Sequence, residues 1–158
     1  MHATTDSVRL DYLVQVDVDE FHRLSQLVRK EPDPARAREL GLLAVDLYRG
    51  PFLADSPYLE WAGQTRVQLA ETFADLAIRV AELELESPEG DPSRAAQLAR
   101  RVLEDDPYRE AAYRLVARAL LAQGDTAAAH QVWKACRAHL ITELDVEPTW
   151  CLDDLQTV

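Results

Sequence analysis

The chain has 158 residues and a net charge of −11, from 28 acidic against 17 basic side chains. That length suffices for one domain, and 47 % hydrophobic with 28 % charged residues excludes wholesale disorder. The acidic excess argues against direct binding to nucleic acid or to an anionic membrane, both of which call for a basic surface.

Ala and Leu supply 23 residues each against five glycines, a mix that favours helix. Helix starts carry a recurring device, Asp or Ser followed by Pro, at Asp33-Pro34, Ser56-Pro57, Asp91-Pro92 and Asp106-Pro107. The first residue can cap free N–H groups, and Pro suits the first helical position because its missing N–H has no partner there. Asp17 and Asp125 are expected caps without a Pro. Between these marks the apolar spacing predicts a first helix over about 17–30, with Val18, Phe21, Leu24, Leu27 and Val28 on one side. A second, over about 34–48, carries Leu40, Leu43, Ala44, Leu47 and Tyr48 and stops at Gly50-Pro51. Phe52 and Leu53 in the following loop are expected to tuck under the helices. A long third helix, about 57–86, turns Trp61, Leu69, Phe73, Leu76, Val80 and Leu83 inward. Helices over about 92–105, 107–123, 126–143 and 148–156 complete the set. Upstream, only Tyr12 to Val16 reads as extended.

A repeat runs through this pattern. Gly90, Asp91 and Ala95 recur 34 residues on as Gly124, Asp125 and Ala129, and Ala77, Val80, Ala81 and Leu85 recur 36 residues on as Tyr113, Val116, Ala117 and Leu121. Helix pairs at about this period are the mark of tetratricopeptide stacking. Ala81 and Ala117 would let paired helices approach closely, while Tyr113 and Trp133 would fill the space between pairs. The expected fold is all-α: about seven helices in antiparallel hairpins, stacked as a tetratricopeptide-like right-handed superhelix. Residues 1–15 read as a leader or linker and 16–158 as a single all-helical domain.

Several segments in order resemble the bacterial transcriptional activation domain, the helical module of Streptomyces antibiotic regulatory protein-type regulators. They are Val16-Asp17-Val18-Asp19-Glu20-Phe21, then Leu47-Tyr48-Arg49-Gly50-Pro51-Phe52-Leu53, then Trp61, Arg66 and Leu69. Asp106-Pro107-Tyr108-Arg109-Glu110 follows, leading into Leu115 and Gly124, and Glu143-Leu144-Asp145-Val146-Glu147-Pro148 closes the set. The resemblance covers about residues 12–156. The family usually has Gly where this chain has Asp145, which implies a slightly strained left-handed turn there. The winged helix that precedes this module in such regulators is missing before residue 12. The resemblance implies a non-catalytic protein-interaction or oligomerisation domain of a bacterial transcriptional regulator, whose DNA reading is done by that winged helix. The alternative is a helical module that senses a small-molecule effector and regulates an attached domain.

The chemistry-bearing residues point the same way. No Gly-rich phosphate loop, Ser/His/Asp spacing or Cys/His nucleophile motif is present, so no enzyme activity and no cofactor is expected. Cys136, His139 and Glu143 share one helical face, but Cys136 occupies a small buried position of the repeat and His139 with Glu143 reads as a solvated pair, so no metal is expected. Glu82, Glu84 and Glu86 read as a solvated face or a partner-facing edge. The candidate protein-binding groove is lined by Arg109, Arg114 and Arg118, with Ile78 and Glu82 at the equivalent positions of the preceding repeat. Such arginines could grip an acidic segment of a protein partner or of a second copy, or could simply pair with Glu110 and Asp106. Cys136 and Cys151 make no disulfide framework. Residues 1–10 lack a secretory apolar core, and no apolar run reaches the ~18 residues of a membrane span. The expected address is cytoplasmic.

Overall fold

The computed structural model describes residues 17–52, 58 and 60–155. The expected leader over 1–15, the extended Tyr12 to Val16, Leu53 and the Ser56-Pro57 helix start lie outside the described residues. Among the described residues there are six α-helices and no strand: α1 (Asp17–Lys30), α2 (Pro34–Leu47), α3 (Gly63–Glu86), α4 (Pro92–Asp105), α5 (Glu110–Ala122) and α6 (Thr126–Leu144). Each helix packs on its chain neighbours, and α3 also packs on α5. Connections of a few residues make α1–α2, α3–α4 and α5–α6 antiparallel hairpins. Among the described residues no helix is long and apolar enough to cross a membrane.

Three helix starts are set by local chemistry. Asp33 accepts the Ala35 N–H at 3.2 Å, Asp91 the Ser93 N–H at 2.8 Å and Asp125 the Ala128 N–H at 2.9 Å. Each cap satisfies a donor that has no partner inside the helix, worth about 1 kcal/mol. Close approach then follows from small residues. Ala77, Ala81, Ala95, Ala99, Ala117 and Ala129 have no exposed surface, so the repeat positions read from the sequence are the points where helices meet. Gly41 belongs to the same set: a Cβ there would run into the Val80 side chain. Phe73, Leu83 and Leu115 fill the core between these contacts, each contributing roughly 1.5–3 kcal/mol by burial.

The α3–α4 turn is built around Glu84, which is only 1 % exposed. Its carboxylate accepts the Asp91 N–H at 2.6 Å, Arg94 Nη1 at 3.2 Å and Arg38 Nη1 at 3.4 Å. Gly90 lies so close to the Glu84 carbonyl that a Cβ would overlap it. The expected solvated edge of Glu82, Glu84 and Glu86 is thereby corrected. Glu84 continues the buried stripe of Ala77, Val80 and Ala81, while Glu82 is half-buried and Glu86 exposed.

Other expectations are also corrected. Residues 60–62 form a 3-10 turn ahead of α3, and Trp61 is 67 % exposed, with its ring edge-on to Phe52 at 6.5 Å. The inward residue of that turn is Ala62, which is fully buried. Helix α5 begins only at Glu110: the Asp106 carboxylate accepts the Tyr108 N–H at 3.1 Å as a cap would, but the Arg109 N–H donates to the Asp106 carbonyl at 3.3 Å and closes a turn around Pro107 and Tyr108. Leu43, 59 % exposed, and Leu27 lie outside the core; α2 packs instead through Ala37, Gly41, Ala44 and Val45. The expected helix over 148–156 reduces to a 3-10 turn, Asp153–Leu155, at the end of an irregular segment. Side chains hold this segment in place: Glu110 accepts the Thr149 N–H at 2.7 Å and Asp154 the Cys151 N–H at 3.1 Å.

Helix α6 ends as expected at Asp145, in the left-handed region at φ 55° and ψ 36°. An L-residue with a Cβ is disfavoured there, and a carboxylate at a helix C-terminus faces the negative end of the dipole. Asp145→Gly should therefore raise the unfolding free energy by about 0.5–1 kcal/mol. Urea melts check this, and a loss of stability would mean that the Asp145 side chain supports the turn.

Candidate functional site

The repeat register places Ile78 and Glu82 on α3 where Arg114 and Arg118 stand on α5. These two helices pack on one another. Ile78 is half-buried against the core, and Glu82 pairs with Arg79 at 3.4 Å one turn back on its own helix. Arg114 is exposed and Arg118 half-buried. Neither makes a hydrogen bond or ion pair to another described residue. The carboxylates weighed as their partners are engaged elsewhere, Glu110 with Thr149 and Asp106 with Tyr108 and Arg109.

Arg109 is different. It is the residue just before α5, and its guanidinium reaches Asp75 on α3 at 3.2 Å and Asp106 at 3.7 Å. Asp75 also faces Arg29 of α1 at 3.7 Å, so one carboxylate links all three hairpins. Sequence reasoning missed Asp75. These are contacts between hairpins, at sequence separations that helical periodicity does not address.

The chain beyond α6 folds back over the last hairpin. Trp150 and Leu152 are buried, and the Trp133 indole N–H donates to the Trp150 carbonyl at 3.3 Å. Arg137 and Glu147 form a two-toothed ion pair at 2.7 and 2.6 Å. Trp133 is half-buried, packed at the edge of the core. Cys136 lies fully inside, whereas His139 and Glu143 are exposed, so the three do not converge. Among the described residues no group of three His, Cys, Asp or Glu side chains could hold a metal ion.

The Leu47 to Phe52 segment builds a second feature. Tyr48 stacks on Phe73 with ring centroids 4.3 Å apart, and Arg101 covers the Phe73 ring at 4.6 Å while donating to the Tyr48 carbonyl at 2.6 Å. Burial first, and the Asp105 carboxylate second, push the Tyr48 phenol above its ordinary range. Arg66 holds the Phe52 carbonyl at 2.7 Å. A cleft of about 430 Å³ opens beside this loop, against Val18, Phe21 and Leu69.

Three stacked helical hairpins define a helical-repeat scaffold. Residues 16–157 match the family described as Bacterial transcriptional activator domain, and the chain belongs to that family. It is a regulatory family, and its members act in transcriptional activation. A search of curated proteins finds no match.

Burial, followed by the nearby Glu110 carboxylate, pushes the Cys136 thiol from its ordinary value of 9.0 up to about 11. The folded state thus holds its proton where the unfolded state releases it, so stability should fall as pH rises from 9 toward 11. In the native protein a thiol reagent should modify exposed Cys151 promptly and Cys136 only on unfolding. Titration of both thiols at equal rates in the native state would contradict this placement.

Proposed function

We propose that this chain is a non-catalytic protein-interaction and oligomerisation domain of a bacterial transcriptional regulator, with residues 16–158 working as one helical unit in the cytoplasm. Its contact groove is formed by the α3 and α5 faces carrying Ile78, Glu82, Arg114 and Arg118, with Arg109 at the start of α5. DNA reading belongs to a separate winged helix, in keeping with the net charge of −11. The observation that carries this reading is the pair Arg114 and Arg118. They stand one turn apart on a helical face, in a chain rich in carboxylates, yet neither has a partner among the described residues. Guanidinium groups hold carboxylates in a planar, two-toothed geometry. The occupant is an acidic segment of a partner protein or of a second copy of the domain.

The alternative reading, effector sensing, draws on the cleft of about 430 Å³ beside Phe52, whose size suits a small molecule. A metabolite that raises the melting temperature at saturation, with the rise lost in Leu69→Trp, would select that reading.

The double change Arg114→Glu with Arg118→Glu should leave the unfolding free energy within about 0.5 kcal/mol of the parent, the usual range for surface substitutions. It should abolish dimerisation in sedimentation, or capture of the regulator's partner in a pull-down. A double variant that folds and still captures every partner would move the contact surface elsewhere.

A further inference from the structure

Helix α3 has 24 residues, but its hairpin partner α4 has 14. The two are joined tightly where Glu84 accepts the Asp91 N–H. The first turns of α3 therefore run on past the end of α4. One side of this overhang is covered: Leu69 is buried and Arg66 holds the Phe52 carbonyl. On the other side Val67, Ala70 and Ala74 form an apolar wall, with Phe73 and Val102 as floor, around a cleft of about 270 Å³. Val67 is exposed.

The rim of this cleft carries Glu71, Asp105 and Asp106 against a single basic group, Arg109. Arg109 is already ion-paired to Asp75 and Asp106. Arg101, over the far side of Phe73, is bonded to the Tyr48 carbonyl and is no part of the wall. Glu71 and Asp105 make no hydrogen bond or ion pair to another described residue. The cleft thus offers apolar surface under two carboxylates that have no ion-pair partner among the described residues. Its volume lies below the roughly 300–1,000 Å³ of small-molecule sites and suits one anchoring side chain.

We propose that this cleft docks a cationic segment of a partner protein. One leucine- or phenylalanine-sized side chain enters between the α3 overhang and the α4–α5 turn, and flanking lysine or arginine residues meet Glu71 and Asp105. Apolar anchoring supplies the affinity and the rim charges fix the register and exclude acidic segments. This surface shares Arg109 with the groove proposed above but does not include the arginine pair on α5, whose expected occupant has the opposite charge.

The test is fluorescence anisotropy with the full chain and a labelled dodecapeptide of lysine and arginine bearing two central leucines. Saturable binding is expected, and replacing the leucines by serine should abolish it. Glu71→Gln with Asp105→Asn should weaken binding roughly tenfold, or about 1.4 kcal/mol, and Ala70→Phe should block it without changing charge. Asp46→Asn with Glu143→Gln should bind as the parent does, and so should Arg114→Glu with Arg118→Glu. Absence of saturable binding overturns the proposal. So does equal binding of the serine peptide, or an equal loss in the Asp46 and Glu143 control, either of which marks unspecific attraction to an acidic chain. Full binding by a folded Ala70→Phe variant also overturns it; should that variant fail to fold, the two rim carboxylates, both exposed, decide the matter.

Discussion

Glu84 lies where α3 turns into α4, with no exposed side-chain surface, and donors from three segments close around its carboxylate. Arg38 comes from α2, Arg94 from α4, and the Asp91 N–H from the cap between α3 and α4. Desolvating a carboxylate costs several kcal/mol unless its oxygens are well satisfied. Here the short bond to Asp91 and the two guanidinium groups offset that cost. Removing the carboxylate would leave Arg38, itself largely buried, facing Arg94 with no counter-charge. The consequence is geometric: α2 and α4 are both tied to the C-terminal end of α3. The next hairpin is built onto α3 and α4, so the relative positions of Ile78, Glu82, Arg114 and Arg118 depend on this junction.

Two surfaces of opposite character then follow from one scaffold. Among the described residues the α5 arginines have no partner, and the carboxylates near them in sequence are engaged with backbone and Thr149 donors. The α3 overhang exposes Val67 because that helix outruns its partner, and Glu71 and Asp105, which border it, have no ion-pair partner among the described residues. Asp75, between Arg29 and Arg109, links the three hairpins near both. A regulatory helical scaffold with separate acidic and basic contacts can discriminate partners by charge as well as by shape.

Much of this fold is legible in the chain because its controlling interactions are local. The Asp33-Pro34 and Asp91-Pro92 caps act within two residues, and the starts of α2 and α4 follow from them. The 34-residue recurrence joins a turn and cap, Gly-Asp, to an alanine where helices meet, and Ala95 and Ala129 have no exposed surface. What was not legible is of two kinds, local turns that compete with a helix and partners distant in sequence. Asp106 accepts the Tyr108 N–H as a helix cap would, but its carbonyl also closes a turn with the Arg109 N–H at 3.3 Å, and α5 starts later. Trp61 has the right spacing for the core, yet a 3-10 turn rotates it outward. The C-terminal segment is irregular up to its 3-10 turn, and it is held by a group far off in sequence: Glu110, 39 residues away, takes the Thr149 N–H. Glu84 had a readable signal, an acid in the apolar stripe of Ala77 and Ala81, but Arg38 lies 46 residues upstream. The arginine pair was legible as one face of a helix; its lack of partners among the described residues was not.

The dependence of the stack on Glu84 is tested most directly by a double-mutant cycle. Urea unfolding of Glu84→Gln, Arg38→Met and the double variant gives the coupling between the α2 guanidinium and the α3 carboxylate. Glu84→Gln alone should cost about 3–5 kcal/mol, as for loss of one partner of a buried pair, and the coupling should exceed about 1 kcal/mol. Single effects that add to within about 0.5 kcal/mol would contradict this dependence, and would reduce Glu84 to a bystander in a fold held by its alanine and leucine contacts.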